Sequence, residues 1–339
     1  MESFDLRLSL ITNQLGRIVS RIIDIHAHVV LPETFGAAGK YGPELGDEND
    51  LQTFRVGDYS IQVPYVGSVF MEAEKRIQEM DQLGIDIQVL SPNPLTFFGG
   101  IDAGEATNFA KLSNDAMANL VKIYPDRLLG TIALPMQDPD AACLELERGV
   151  RELGLVGGYI GTDYGFTLDD PRLDDFYRTV VELDIPLFIH PATNNGIRAS
   201  ADSRLGRFGL ELVVGYAYEE TLAVAALILG GVMDRHPNID ICVSHGGGAI
   251  TFLAKRFDSM ASFQGNESDF VLALRSLWYD SHLEPGAAQD FVVSVVGEDR
   301  MVYGTNFGGW DTPSETTEFD RSLGKNAERL LRLPQIRER

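Results

Sequence analysis

Two histidines spaced i, i+2, His26 and His28, close the β-branched run Arg21-Ile22-Ile23-Asp24-Ile25. On an extended backbone, residues two apart point to the same side, so this pair aims two imidazoles at one place. Such nitrogen donors hold a divalent cation once other segments bring further ligands. The chain repeats the device: His190 ends Ile185-Pro186-Leu187-Phe188-Ile189, and His245 ends Ile239-Asp240-Ile241-Cys242-Val243-Ser244. A single histidine after a strand is ordinarily a hydrogen-bonded structural residue. The same placement at distant strands, once as a doublet, points to a metal site.

The elements that would carry these residues alternate regularly. Apolar, strand-like runs fall at 21–26, 85–90, 129–133, 156–160, 186–190, 239–244, 277–281 and 300–305. Helix-like stretches lie between them, several closed by Gly or Pro, as at Leu83-Gly84, Leu153-Gly154 and His236-Pro237. Eight strand–helix units predict an α/β fold, a closed (β/α)8 TIM-like barrel, distorted by a long insertion after the first strand. No Gly-x-Gly-x-x-Gly turn follows that strand, which speaks against an open dinucleotide-binding sheet. The connections 29–70 and 191–213 are too long for simple loops; each starts beside a candidate ligand and is expected to fold over the site as a lid. The chain reads as one domain over 1–339, with a core at 20–312 and a polar, helical C-terminal tail at 313–339.

Composition narrows the function classes. With 339 residues and 44% hydrophobic content, the chain can bury a large core. Its 28 Lys and Arg against 50 Asp and Glu give a formal net charge of −22, which repels nucleic acid and anionic membranes. The two cysteines, Cys143 and Cys242, rule out a disulfide framework and fit a reducing compartment. The first twenty residues show no basic region followed by an apolar core, and the longest apolar run, 222–233, is too short for a bilayer. A cytoplasmic location is the expectation.

Taken together, Asp24-Ile25-His26-Ala27-His28, Leu187-Phe188-Ile189-His190-Pro191 and Val243-Ser244-His245-Gly246-Gly247-Gly248 resemble the amidohydrolase superfamily. More narrowly, they resemble its branch around aminocarboxymuconate-semialdehyde decarboxylase and several aromatic-acid decarboxylases. Arg76-Ile77-Gln78-Glu79-Met80-Asp81, Ala133-Leu134-Pro135-Met136-Gln137 and Gly230-Gly231-Val232 extend the similarity over roughly residues 21–312.

The resemblance implies a distorted barrel around one divalent metal, zinc in the first place and manganese as the alternative. Its ligands would be His26, His28, His190 and the residue after the eighth strand. Val156-Gly157-Gly158-Tyr159-Ile160 lacks the lysine that bridges two metals elsewhere in the superfamily, so one metal is implied. By the same resemblance His245 is a proton shuttle, Arg55 a substrate-binding residue, Arg256 a residue contributed from a neighbouring subunit, and Asp280 a hydrogen-bonding residue near the site. A homodimer or higher homo-oligomer follows if Arg256 carries over.

The chain departs from the family at Asn306, where an acid is expected. A neutral amide oxygen is a poorer ligand than a carboxylate and takes up no proton. Three readings stay open. Asn306 is a weak ligand or hydrogen-bond partner, with Asp311 taking part of the acidic role; or it cripples catalysis while keeping the fold; or the protein binds ligands without a metal.

The expected function is metal-dependent, non-oxidative decarboxylation of a small unsaturated or aromatic carboxylic acid. The alternatives are hydrolysis of a carbon–carbon bond, lactone or amide on the same scaffold, and an inactive, ligand-binding barrel. Phe97, Phe98 and Trp310 are candidates to wall the substrate or are ordinary packing. Arg198, Arg204 and Arg207 read as solvated loop residues, His236 as a helix-end residue, and His282 stays unassigned.

Overall fold

The computed structural model describes residues 21–48, 51–192, 204–263, 265 and 269–334. Among them, eight parallel strands form the barrel predicted from the sequence. They are Ile23–Val29, Ile87–Pro92, a bent third strand made of Leu128–Gly130 and Ile132–Ala133, Gly158–Gly161, Leu187–His190, Ile241–Val243, Trp278–Asp280 and Met301–Val302. The third strand pairs with the second through its first half and with the fourth through its second half. Closure between the eighth and first strands rests on Ile25 N donating to Tyr303 O (2.9 Å) and Phe307 N donating to His26 O (3.2 Å). Each predicted strand run overlaps one barrel strand. The first strand, however, continues to Val29, so His26 and His28 lie within it rather than at its end.

Side-chain alternation sorts the barrel into two layers. Phe188, Cys242, Trp278 and Val302 form one buried cluster with Ile23 and Ile25. Their chain neighbours Leu187, Ile189, Ile241, Val243, Tyr279 and Met301 belong to the larger core beneath the helices. This is the period-2 division of a barrel strand between lumen and outer shell. Strict alternation would put Ile23 and Ile25 on one face and His26 and His28 on the other.

A register shift between Asp24 and Ala27 removes that conflict. A bulge there resets the parity, so the isoleucines fill the lower lumen and the imidazoles the upper. The backbone N–H of His26 donates to Asp24 Oδ1 (3.0 Å). Asp24 Oδ2 accepts from Gln88 Nε2 (2.8 Å) and Thr305 Oγ1 (2.8 Å), tying three neighbouring segments together.

Three expectations about the surroundings are corrected. The C-terminal segment is not a polar tail: Leu323, Ala327 and Leu330 are fully buried, and Ala327, Leu330 and Leu331 join the lumen cluster and close the barrel floor. These apolar residues recur on one helical face around Gly324–Leu330. The 29–70 excursion is more than a lid, because it builds an antiparallel sheet of Glu44–Glu48, Leu51–Val56 and Tyr59–Gln62. Phe54, Val56 and Tyr65 pack a small core of their own with Phe98 and Phe109. The third concerns membrane-spanning length. In the second excursion 193–203, including Arg198, lie outside the described residues, and the segment ends in a helix running from Glu211 to Leu229. By length and composition that helix could cross a membrane, yet Ala223, Val224, Leu227 and Ile228 are packed into the barrel core.

Candidate metal centre and active site

His26 Nδ1 donates to Asp280 Oδ2 at 2.6 Å, and His190 Nδ1 donates to the carbonyl of Pro191 at 3.0 Å. Each imidazole therefore turns a bare Nε2 inward. The Nε2 atoms of His26 and His28 lie 3.2 Å apart, and His28 Nδ1 has no hydrogen-bond partner. Ligand nitrogens of His26, His28 and His190 all fall within 4.8 Å of one another. Burial, above all, pushes His26 down to about 4 against the pull of its hydrogen bond to Asp280. Burial and then the adjacent rings hold His28 and His190 well below the ordinary imidazole value. All three are thus neutral, the ligating form. Imidazole lone pairs that face one another at this spacing are what a divalent cation draws together. The donor set fits one.

Asp280 ends the seventh strand and braces this set. Burial favours its neutral form, but the hydrogen bond from His26 and the surrounding imidazoles outweigh that and hold its carboxyl at about 2. Its other oxygen accepts from the backbone N–H groups of Gly246 (3.1 Å) and His282 (3.2 Å). A carboxylate behind a ligating imidazole fixes the tautomer and raises the ligand's basicity. Gly304 permits the close approach, since a Cβ there would lie 2.9 Å from the Cβ atoms of both Asp280 and His26.

His245 stands just above. Its ring centroid is 4.9 Å from that of His26 and 5.2 Å from that of His190. Its backbone occupies the left-handed region at φ 46°, a strain that ordinary loops avoid. Nδ1 donates to Glu220 Oε1 at 2.7 Å, and Ser244 Oγ donates to the same oxygen at 2.6 Å. Burial opposes a charge on His245, yet the Glu220 carboxylate, with Asp280 and Asp311, overrides it and raises the ring to about 9. His282, unassigned from sequence, forms a second close group with His26 and His245.

A cavity of about 820 Å³ opens over this floor, and its wall includes Tyr216, His245, His282, Asn306, Trp310 and Asp311. His26, His28 and His190 lie below its lining and are almost wholly buried. Asn306 sits at φ 50°, and its Nδ2 donates to Asp311 Oδ1 at 2.8 Å. The second oxygen of Asp311 is 3.7 Å from His282 Nε2.

The remaining candidates scatter. Arg55 is held in the inserted sheet by Glu44 (2.7 Å) and the carbonyls of Lys40 and Gly57, outside the cavity lining. Arg256 lies exposed on the helix Ile250–Phe263, also away from this chain's cavity. Phe97 packs on Tyr159 (centroids 4.9 Å) and reaches to 6.5 Å from His190, below the main cavity rather than in its wall. Phe98 belongs to the small core of the insertion. His236 bonds Asp174 at the barrel's outside, and Arg207 lies over Phe208. Arg204 is exposed and does not line the cavity. Among the described residues the cavity lining contains carboxylates, Glu220, Glu284, Asp311 and Glu315 among them, and neither Arg nor Lys. Sequence reasoning missed Glu220; the available signal was an acid inside the apolar helix Tyr216–Leu229.

Comparison with known proteins agrees with this geometry. The sequence model of the amidohydrolase family matches residues 23–333. The chain is 30% identical over 298 residues to 2-amino-3-carboxymuconate-6-semialdehyde decarboxylase of Dictyostelium discoideum, covering 84% of this chain and 81% of that one. It is 34% identical over 290 residues to gamma-resorcylate decarboxylase of Polaromonas sp. strain JS666, covering 77% and 87% respectively. Among solved structures it is similar in fold to a dihydroxybenzoic acid decarboxylase from Polaromonas sp. JS666 with bound manganese and the inhibitor 2-nitroresorcinol. That match has a TM-score of 0.72 and 23% identity, covering 93% of this chain and 97% of the other. A closed barrel, inward imidazoles from its first and fifth strands, and a match spanning nearly the whole described chain lead to one assignment: the chain belongs to the amidohydrolase family.

Proposed function

We propose that this chain is a metal-dependent, non-oxidative decarboxylase of a small aromatic or unsaturated carboxylic acid. The observation that carries the reading is the convergence of His26, His28 and His190 beneath a cavity whose wall holds His245, hydrogen-bonded through Nδ1 to Glu220. His26, His28 and His190 would hold the cation, zinc or manganese, and Asn306 would offer its amide oxygen as a further, weaker ligand. When bound, the cation supplies Lewis acidity and an anchor for the substrate's carboxylate or a neighbouring hydroxyl.

The protein's own part follows from the cavity. Decarboxylation breaks a C–C bond, leaves its electron pair on the ring or chain carbon, and needs a proton delivered there. His245 carries that proton on the nitrogen not engaged by Glu220, and solvent replaces it after CO2 leaves. Trp310, Tyr216 and Leu212 give the cavity apolar wall for a flat substrate. Hydrolysis requires the opposite, a base beside the cation to take a proton from water. Position 306 offers only an amide, whose nitrogen already donates to Asp311. This favours the lyase over the hydrolase.

In a lining without Arg or Lys, the cation and the imidazoles supply the positive field for a substrate carboxylate. Arg256 fits the role of a residue lent to a second copy, since it faces outward; a homodimer is part of this reading. The two cysteines are free, which fits a cytoplasmic protein. The test is release of CO2 from a panel of hydroxybenzoates and enol acids by zinc- or manganese-loaded protein. Turnover that metal stripping abolishes supports the reading; water-dependent cleavage without CO2 overturns it.

A further inference from the structure

Glu220 is a carboxylate buried in the wrong company. It rises from the apolar helix Tyr216–Leu229, is fully buried, and offers Oε1 to both Ser244 Oγ and His245 Nδ1, while Oε2 has no partner among the described residues. A buried carboxyl with an unpaired oxygen is costly to keep out of water, and such costs persist at functional sites. Two backbone features hold the arrangement in place. His245 takes a left-handed conformation, and Gly248, at φ 64°, passes so near the same helix that a Cβ would lie 2.3 Å from Ala217 O. Both bring the turn after the sixth strand against the helix that carries Glu220.

We propose that Glu220 is the positioning residue of the site: it clamps Nδ1–H of His245 so that Nε2 is the one ring atom presented to the cavity. Although Glu220 is part of the cavity lining, both hydrogen-bond donors it engages belong to the turn after the sixth strand. In the decarboxylation proposed above, on which the chemical half of this inference rests, the Nε2–H bond breaks as the carbon gains its proton. Glu220 keeps its hydrogen bond to Nδ1–H throughout and prevents the ring from turning its other edge to the substrate. The Ser244 hydroxyl fixes the carboxylate's rotation and is secondary.

The test uses zinc-loaded, full-length protein and two readouts. The first is the proton resonance of the hydrogen-bonded His245 Nδ1–H, far downfield of the amides and identified by its loss in His245→Asn. The second is the division of effects between kcat and KM. Glu220→Gln is expected to fold, to shift or erase that resonance, and to lower kcat about 100-fold with KM within about twofold, in the range of misaligned acid–base groups. Glu220→Asp recovers part of both signals, and Ser244→Ala keeps the resonance and changes kcat about threefold at most. Wild-type kcat and an unmoved resonance in Glu220→Gln overturn the proposal. If Glu220→Gln does not fold, the absence of any such resonance from wild type overturns it, and its presence with partial loss in Glu220→Asp supports it. A protein that releases no CO2 from any acid sinks the decarboxylase reading, while the resonance alone still decides the role of Glu220.

Discussion

An amide at position 306 accepts through its oxygen and donates through its nitrogen, but it brings no charge to a cation and no basic site to water. In this chain the donating end is committed to Asp311, which leaves the oxygen as the group to turn toward a bound ion. Replacing Asn306 with Asp restores a charged ligand at a φ that both residues tolerate. Asn306→Asp should therefore hold its metal against a chelator about tenfold more tightly, and unchanged retention would remove residue 306 from the coordination sphere. His245→Ala should lower kcat by about 100- to 10,000-fold with metal content intact, because the proposed ligands are His26, His28 and His190 and the Nε2 of His245 is assigned to the substrate's proton; loss of metal instead would make it a ligand. The imidazoles were legible in sequence because each ends or interrupts a recognisable strand. Glu220 was not: it acts across 25 residues from a helix whose pattern announces only burial.

Strands carry these residues, and their irregularities do as much as their regularity. The alternating apolar runs made all eight barrel strands readable, since barrel strands buried on both faces are nearly continuous in hydrophobicity. The bulge in Ile23–Val29 left no comparable mark, although it alone lets Ile23, Ile25, His26 and His28 share the lumen. The inserted sheet was missed for a different reason: Leu51–Val56 and Tyr59–Gln62 are half-exposed strands that bury few apolar side chains. Where the seventh and eighth strands meet the first, space is the limiting quantity. Gly304→Ala would drive a methyl group into the Cβ atoms of His26 and Asp280. A loss of about 1–3 kcal/mol in thermal or denaturant unfolding is expected, together with weakened metal binding; a variant as stable as wild type would show that the barrel rim yields freely.

The molecule as a whole presents an apolar face that the barrel does not use. Phe252, Met260 and Phe263 on the helix Ile250–Phe263, Leu272 on the helix Phe270–Leu274, and Phe291 on the helix Ala287–Val296 are exposed. Arg256 shares the first of these helices. If the proposed homodimer forms through this face, Phe252→Glu together with Phe291→Glu should lower the mass to that of a monomer in light scattering at micromolar concentration; a dimeric mass unchanged by the substitutions would place the contact elsewhere. The barrel floor was misjudged because a helix that seals a lumen shows the same short, mixed pattern as a surface helix until the cavity beneath it is known. Everything functional still depends on three neutral imidazoles sharing one ion. The most direct measurement is elemental analysis of chelator-stripped protein reloaded with zinc or manganese, comparing wild type with His28→Ala and His190→Ala. About one ion per chain in wild type, with a raised unfolding temperature, and far less in either variant is the expected result. Wild-type protein that takes up no ion, or variants that bind as much as wild type, would contradict the account.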